Sequence, residues 1–434
     1  MNELKDPKQP RQKYVEYKDE PERVILVTID PSPSAKGSEA ERSLDELAEL
    51  VETAGAEPVF YVTQFRDKPH PGTYVGSGKL EELRLLIEEQ HATGIVCDDE
   101  LSPAQMKNLG DALNVKIMDR TMVILDIFAK RAASREGKLQ VELAQLRYTA
   151  SHLTGMWKHL SRQEGGIGMR GPGEKQLEMD RRIIGKRISF LKAGLKDMTE
   201  ERDLRRKKRS NSNIPVAAIV GYTNAGKSTL LNVLTHSNVL EEDKLFATLD
   251  PTTRVLQLPD ARQVLLTDTV GFVRKLPHHL IDAFHSTLEE ACYADFLIHV
   301  VDASDPQMDR EMEITYKTLS DLGVTEKPII TIFNKMDLHN PEELDNTALR
   351  DPGAAITLKT SLKPSGHLPS EEDLSPIYSA IGEILRRGKV YVERLYAYEN
   401  AGQIQQIRKC GELLSEEYTE NGIFVRAYIP EHLL

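Results

Sequence analysis

The sequence predicts an α/β fold built in several units. Three observations carry this: strands alternate with helices over two separate stretches, a glycine-rich loop joins a strand to a helix in the second stretch, and a strand-free basic segment lies between them. At about 150 residues per domain, 434 residues call for about three units rather than one. The expected order is a tail over 1–21, an N-terminal parallel α/β domain over 22–130 and a basic helical hairpin with a glycine-rich loop over 131–210. A second α/β domain over 211–388 and a small α+β C-terminal domain over 389–434 complete it.

Residues 1–20 hold Pro, Lys and Glu with little to bury and read as a mobile tail. From Val24 the apolar runs VILVTID, VFYVTQF, GIVCD and VKIMD alternate with helical patterns around 44–54, near 80–89 and after Ser102-Pro103, which predicts a small parallel sheet. Strand signals then vanish from Met122 to about Arg209. The segment GGIGMRGPGE (165–174) holds five glycines and a proline in ten residues and is expected to be irregular. After it, Ile183, Ile184, Ile188, Leu191 and Leu195 recur at helical spacing among Arg and Lys, the pattern of a hairpin helix that presents cations. Past the polar break SNSNIP the alternation resumes to about residue 388. YVERLYAYEN, a helical stretch over 403–417 and GIFVRAYIP then predict a β-α-β cap, too small to hold a core alone.

The net charge of −12, taken whole, argues against a nucleic-acid partner, DNA included, but it hides a pattern. Residues 1–130 carry 16 basic and 25 acidic side chains, 131–210 carry 20 and 10, and 211–434 carry 20 and 33. A basic block between acidic ones points to a polyanion contact, with Arg181, Arg182, Lys186, Arg187 and the run 205–209 as candidates; a solvated helix face is the plainer alternative. No run approaches the roughly 18 apolar residues of a spanning helix, and the start carries no apolar export core. Three scattered cysteines, Cys97, Cys292 and Cys410, support neither a disulfide framework nor a metal knuckle. A cytoplasmic protein is expected, with no transmembrane segment and peripheral membrane association left open.

Chemistry concentrates in the second α/β domain. In VAAIVGYTNAGKST a strand runs into Gly221, Tyr222, Thr223, Asn224, Ala225, Gly226, Lys227, Ser228 and Thr229, followed by a helix. Glycines let the backbone wrap a phosphate chain, Lys227 neutralises the β- and γ-phosphates, and Ser228 places its hydroxyl on Mg²⁺. A second strand ends in Asp268, Thr269, Val270 and Gly271, suited to orienting Mg²⁺ through water and to offering the Gly271 N–H to the γ-phosphate. A third ends in Asn334, Lys335, Met336 and Asp337. The Asp337 carboxylate accepts from N1–H and the N2 amine of guanine and would stand unpaired against adenine, so this motif names the base. Between the first two motifs, Phe246, Ala247, Thr248, Leu249 and Asp250 form a switch loop in which Thr248 closes on Mg²⁺ and phosphate, with Thr252 and Thr253 as rivals. Ser361, Leu362 and Lys363 follow as a candidate base-contacting loop.

In this order the motifs resemble those of translation-factor-like P-loop GTPases. GYTNAGKST, FATLDPTTR and DTVGF, together with YVGSGK (74–79), the stretch 126–144 and GGIGMRGPGEKQLEMDRR (165–182), are similar to the HflX-type ribosome-associated GTPases over about residues 22–385. The resemblance implies a monomer that binds GTP or GDP with Mg²⁺, contacts the large ribosomal subunit and its rRNA through the N-terminal domain and hairpin, and dissociates or rescues stalled ribosomes under stress. It also implies that Asn224 helps hold K⁺ beside the phosphates. The chain departs from the family pattern at Leu362, Met169 and Lys175, and over its last forty-odd residues.

Val270 stands where many GTPases carry a water-positioning Gln, so the isolated protein is expected to hydrolyse GTP slowly, with Lys227, Thr248 and Gly271 at the catalytic end and a ribosomal contact ordering the switch loops. Gly76, Ser77, Gly78 and Lys79 invite a second nucleotide site, but Thr73 and Leu80 break the phosphate-loop pattern and favour a turn opening a helix. Two other readings compete: a nucleotide-gated adaptor for a protein or membrane-surface partner, and an ATP-driven RNA remodeller working through residues 22–210.

Overall fold

The computed structural model describes residues 21–31, 39–156, 172–210, 214–237, 245–275, 285–338, 349–363, 367 and 369–430. The tail 1–20 and most of the glycine-rich segment, 165–171, lie outside them.

The N-terminal unit comprises β1 (Arg23–Asp30), α1 (Glu39–Ala54), β2 (Glu57–Phe65), α2 (Ser77–Glu89), β3 (Gly94–Cys97), α3 (Pro103–Leu113), β4 (Lys116–Asp119) and α4 (Arg120–Arg131). Its four strands form a parallel sheet in the order β2-β1-β3-β4. Residues of β1 alternate between the two faces, Val24 and Leu26 packing with α1 and α4, Ile25 and Val27 with α2 and α3. The Ser102-Pro103 start is a reciprocal cap: Gln105 N–H donates to Ser102 Oγ at 3.2 Å and Ser102 N–H to Gln105 Oε1 at 2.9 Å.

The long helices α5 (Arg135–Met156) and α6 (Pro172–Ser210) pack together as the hairpin. Here α6 starts earlier than the glycine-rich composition predicts: residues 172–174 belong to its first turn, because Pro172 has a preset φ and lacks the N–H that an opening turn leaves unpaired. Leu191 is buried and Ile184, Ile188 and Leu195 are half-buried as the spacing requires, whereas Ile183 stays 60 % exposed, one residue off that face.

The second α/β unit comprises β5 (Val216–Val220), α7 (Lys227–Thr235), β6 (Thr252–Gln257), β7 (Gln263–Asp268), α8 (His285–Tyr293), β8 (Phe296–Asp302), α9 (Met308–Asp321), β9 (Ile329–Asn334), β10 (Ile356–Lys359) and α10 (Glu371–Arg386). Its six strands run β10-β9-β8-β5-β7-β6, parallel except for β6. The chain leaves β5 towards β6 and β7 on one side and β8 to β10 on the other, so the glycine loop issues from the carboxyl end of the strand where the order reverses, the crevice in which such sheets take ligands.

The last unit differs from the expected β-α-β cap. After β11 (Lys389–Tyr396), helix α11 (Ala401–Cys410) stops at Gly411, and 412–417, expected as helix, form most of β12 (Glu412–Thr419), which turns into β13 (Gly422–Pro430). Register explains the change: as a strand, β12 pairs along β13 in an antiparallel sheet, β11-β13-β12, whose inner face closes over Ile404 and Ile407 of α11. Glu412 anchors this unit to its neighbour, bridging Arg262 at 2.9 Å and Arg386 at 2.8 Å.

Candidate functional site

The loops after β5, β7 and β9, the switch segment before β6 and the loop after β10 converge on one cavity of about 500 Å³. Its walls include Thr223, Asn224, Gly226, Lys227, Ser228, Thr229, Phe246, Ala247, Thr248, Thr269, Gly271, Asn334, Lys335, Asp337, Leu362 and Lys363. Leu338, which no motif singled out, joins them.

At the phosphate end, Lys227 is buried at the start of α7 and its Nζ donates to Tyr222 O at 2.5 Å. Burial pushes its ammonium down to about 8. Gly271 has to be glycine for space: a Cβ there would stand 2.8 Å from Lys227 Nζ and from Thr223 Cα. The hydroxyls of Ser228 and Thr248 lie 2.9 Å apart and both donate to Asp268 Oδ2, at 2.7 and 3.0 Å. Burial raises the Asp268 carboxyl above its ordinary value, against the pull of Lys227. Of the three rival threonines, then, Thr248 is the one that reaches this cluster; Thr253 turns to Thr267 at 2.9 Å, and Thr252 lies on β6 opposite Asp268. Asp268 Oδ1 is buried without a hydrogen-bond partner among the described residues. An orphaned carboxylate oxygen beside two hydroxyls is a hard-oxygen donor set of the kind Mg²⁺ takes.

At the base end the structure is self-contained. Asn334 ties the loops together, Nδ2 donating to Ala225 O at 2.9 Å and Oδ1 accepting from Leu362 N–H at 3.0 Å. Ser361 Oγ accepts from Asp337 N–H at 3.0 Å, and Lys335 pairs with Asp302 at 2.6 Å. The bulk of Leu362 is absorbed beneath the pocket, in the core with Ile377 and Ile381.

Several motif residues do not line the cavity, for a common reason: they are drawn into contact with the N-terminal unit. Leu249 and Val270, with Leu245, Phe246 and Val273, are part of the core formed by α1, α4 and α5. The Phe246 ring meets Phe128 edge-on, centroids 4.7 Å apart. Phe246 holds φ +56°, a strained conformation for an aromatic residue, sustained by this packing. Asp250, expected at the nucleotide, instead accepts from the N–H groups of Ala133 at 3.0 Å and Ser134 at 2.7 Å and from Ser134 Oγ, at the residues that open α5. Tyr222 donates to Glu46 Oε1 at 2.8 Å. Glu46 pairs with buried Arg120 at 3.1 Å, and Arg120 with Asp98 at 2.6 Å. Asp98 also takes Lys275, from just beyond β7, at 2.5 Å. Burial opposes the Asp98 charge, but Arg120 and Lys275 overcome it and hold its pKa below the ordinary carboxylate value. Gly221, Ala225, Asp268, Met336 and Ser361 are not among the residues that line the cavity.

The segment Gly76, Ser77, Gly78, Lys79 is a turn that opens α2. Gly76 N–H donates to Gln64 Oε1 at 2.9 Å, and Lys79 pairs with Glu82 at 2.7 Å. On the hairpin, Arg181, Arg182 and Lys186 are exposed, while Arg187 is held by Glu142 through two bonds of 2.7 and 2.9 Å; the side chains of 205–209 lie outside the described residues. No described helix is long and apolar enough to cross a membrane.

Residues 41–129 match the family described as GTP-binding GTPase N-terminal, 131–209 the GTP-binding GTPase middle region, and 216–335 the 50S ribosome-binding GTPase family. The chain is 57 % identical to the GTPase HflX of Lacrimispora saccharolytica over 419 residues, 96 % of each chain. It is 48 % identical to that of Caldanaerobacter subterraneus subsp. tengcongensis over 94 % of this chain and 91 % of the relative. It is also 45 % identical to that of Escherichia coli K12 over 68 % and 69 %. A cavity made by consecutive loops of one sheet, with adjoining segments packed on a preceding α/β unit, thus belongs to a chain that is a GTP-hydrolysing member of the HflX family.

Proposed function

We propose that this GTPase acts on the large ribosomal subunit, dissociating or rescuing stalled ribosomes under stress, and that the subunit accelerates its hydrolysis of GTP by acting through the N-terminal unit. The carrying observation is the shared core: Phe246, Leu249, Val270 and Val273 from the two switch segments pack with Phe128, Val141 and Tyr148 of the N-terminal unit and hairpin. A ligand that moves α4 or α5 moves the loops around the γ-phosphate with it. The exposed cations of α6 suit rRNA phosphates, and the match to a family described as ribosome-binding agrees with them.

Within the pocket, Lys227 neutralises the β- and γ-phosphates and the Gly271 N–H meets a γ-phosphate oxygen. Ser228, Thr248 and Asp268 would hold Mg²⁺, which would supply charge neutralisation of the developing phosphate oxyanions. Asp337 selects guanine. Asn224, in the left-handed conformation at φ +60° on the cavity wall, would hold K⁺, and replacing K⁺ by Na⁺ is expected to slow turnover. Val270 is turned into the interdomain core and cannot orient water, so hydrolysis is slow until the subunit orders the loops.

The test is comigration. With a non-hydrolysable GTP analogue the full chain should sediment with purified large subunits and release them with GDP; migration free of subunits in both states would overturn the reading.

A further inference from the structure

With Val270 facing away, some other group has to orient the nucleophile. Five hydroxyl-bearing residues line the cavity: Thr223, Ser228, Thr229, Thr248 and Thr269. Ser228 and Thr248 are committed to Asp268. Thr269 donates to Ile219 O at 2.7 Å, and Thr229 is engaged as well. Thr223 differs. Its residue is 6 % exposed, and its Oγ1 is buried with no hydrogen-bond partner among the described residues. A buried hydroxyl left unpaired costs on the order of 1–3 kcal/mol, so such a group calls for an explanation in function.

Position supplies one. The Thr223 backbone is fixed, its N–H donating to Phe272 O at 2.8 Å, which holds the glycine loop against the segment after β7. A Cβ placed on Gly271 would stand 2.8 Å from Thr223 Cγ2 and 2.8 Å from Lys227 Nζ, so the Thr223 methyl, the P-loop ammonium and the Gly271 backbone close around one point, and a single step between staggered χ1 positions exchanges that methyl for the buried hydroxyl. That point lies at the γ-phosphate end of the pocket, given the roles of Lys227 and Gly271 above, on which this inference rests.

We propose that Thr223 is a catalytic residue of GTP hydrolysis, its hydroxyl oxygen accepting a hydrogen bond from the attacking water and aiming it at the γ-phosphorus. The water oxygen forms its bond to phosphorus as the bond from phosphorus to the β-phosphate oxygen breaks. That electron pair leaves with GDP, and the water proton ends on a γ-phosphate oxygen. Thr223 takes up no proton; it replaces the orientation that a glutamine gives in other GTPases. The motif places Thr223 among the nucleotide-binding residues with no separate role for its hydroxyl, because a threonine in a glycine-rich loop carries no sequence mark of an unpaired hydroxyl.

The experiment compares Thr223→Val, which keeps the shape and deletes the hydroxyl, with Thr223→Ser, which keeps the hydroxyl. Single-turnover hydrolysis is measured on the full chain with and without large subunits, beside the affinities for GDP and a non-hydrolysable GTP analogue. T223V should lose about 10²-fold in rate, the size of effect that misplacing a reacting group produces, with both affinities unchanged, while T223S keeps most of the rate. Wild-type rates in T223V would overturn the proposal. So would a matching loss of GTP-analogue affinity, which would mean that the hydroxyl grips the ground-state phosphate. Failure of T223S to restore the rate would overturn it too. Failure of the phosphate-site reading itself shows separately, as retention of GTP binding by Lys227→Ala.

Discussion

The two ends of the nucleotide pocket are built differently. At the base end every tie is internal to one unit: Asn334 to Ala225 and Leu362, Asp337 to Ser361, Lys335 to Asp302. At the phosphate end the switch segments leave their own unit and enter the core of another, Phe246 against Phe128 and Asp250 against the opening residues of α5. The proposed base-binding end is therefore held within its own unit, whereas the geometry of the proposed catalytic end depends on where the N-terminal unit sits. Affinity and rate should separate accordingly.

The largest effect expected on the base side is from Asp337→Asn, which puts a donor in place of one of the carboxylate acceptors proposed to meet N1–H and the N2 amine of guanine. Titration with fluorescent GDP should show a loss of on the order of 10⁴-fold, with xanthosine nucleotides, whose C2 carries an acceptor, gaining in relative affinity. An unchanged GDP affinity would dissolve the contrast between the ends. On the other side, Phe128→Ala removes the ring that holds Phe246. Truncation of a buried Phe costs about 3–5 kcal/mol, so a lower melting temperature is expected, together with loss of subunit-stimulated hydrolysis at unchanged GDP affinity. Asp250→Ala acts at the same seam more gently. It strips the acceptor from two backbone N–H groups at the start of α5, for about 1 kcal/mol of stability, and should reduce stimulation without touching base selectivity.

The smallest effect concerns pH. Glu311 on α9 has its carboxyl pushed up to about 9, mainly by burial and then by Asp305, Asp302 and Glu46 across the seam. The folded chain thus keeps a proton that the unfolded chain releases near the ordinary glutamate value. Stability from this group is complete below that value and is lost as pH rises through about 9. Glu311→Gln should melt higher than the parent, with a gap that widens from pH 5 to pH 9; a gap independent of pH would contradict the assignment.

The sequence places the strand-end motifs around one cavity, and it does not show how the switch segments are packed. Gly226, Lys227, Ser228, Asp268, Asn334 and Asp337 declared themselves because each sits at the end of a strand, where chemistry and spacing coincide. The alternating apolar runs likewise mark the N-terminal parallel sheet and the second sheet, which is parallel except for β6. Leu249, Asp250 and Val270 share motifs with residues that line the cavity; that they turn away from it depends on a partner surface more than a hundred residues away, which local pattern does not encode. The same blindness hid β12, whose strand state depends on pairing with β13, and Thr223, whose free hydroxyl is visible only once every neighbouring hydroxyl is seen to be taken.

The most direct test of the account is single-turnover GTP hydrolysis by the full chain and by Phe128→Ala, each with and without purified large ribosomal subunits. The account predicts slow intrinsic hydrolysis, acceleration of the parent on the order of 10³-fold or more by subunits, as when a partner completes such a site, and little acceleration of the variant. Equal rates with and without subunits, or full stimulation of Phe128→Ala, would contradict it.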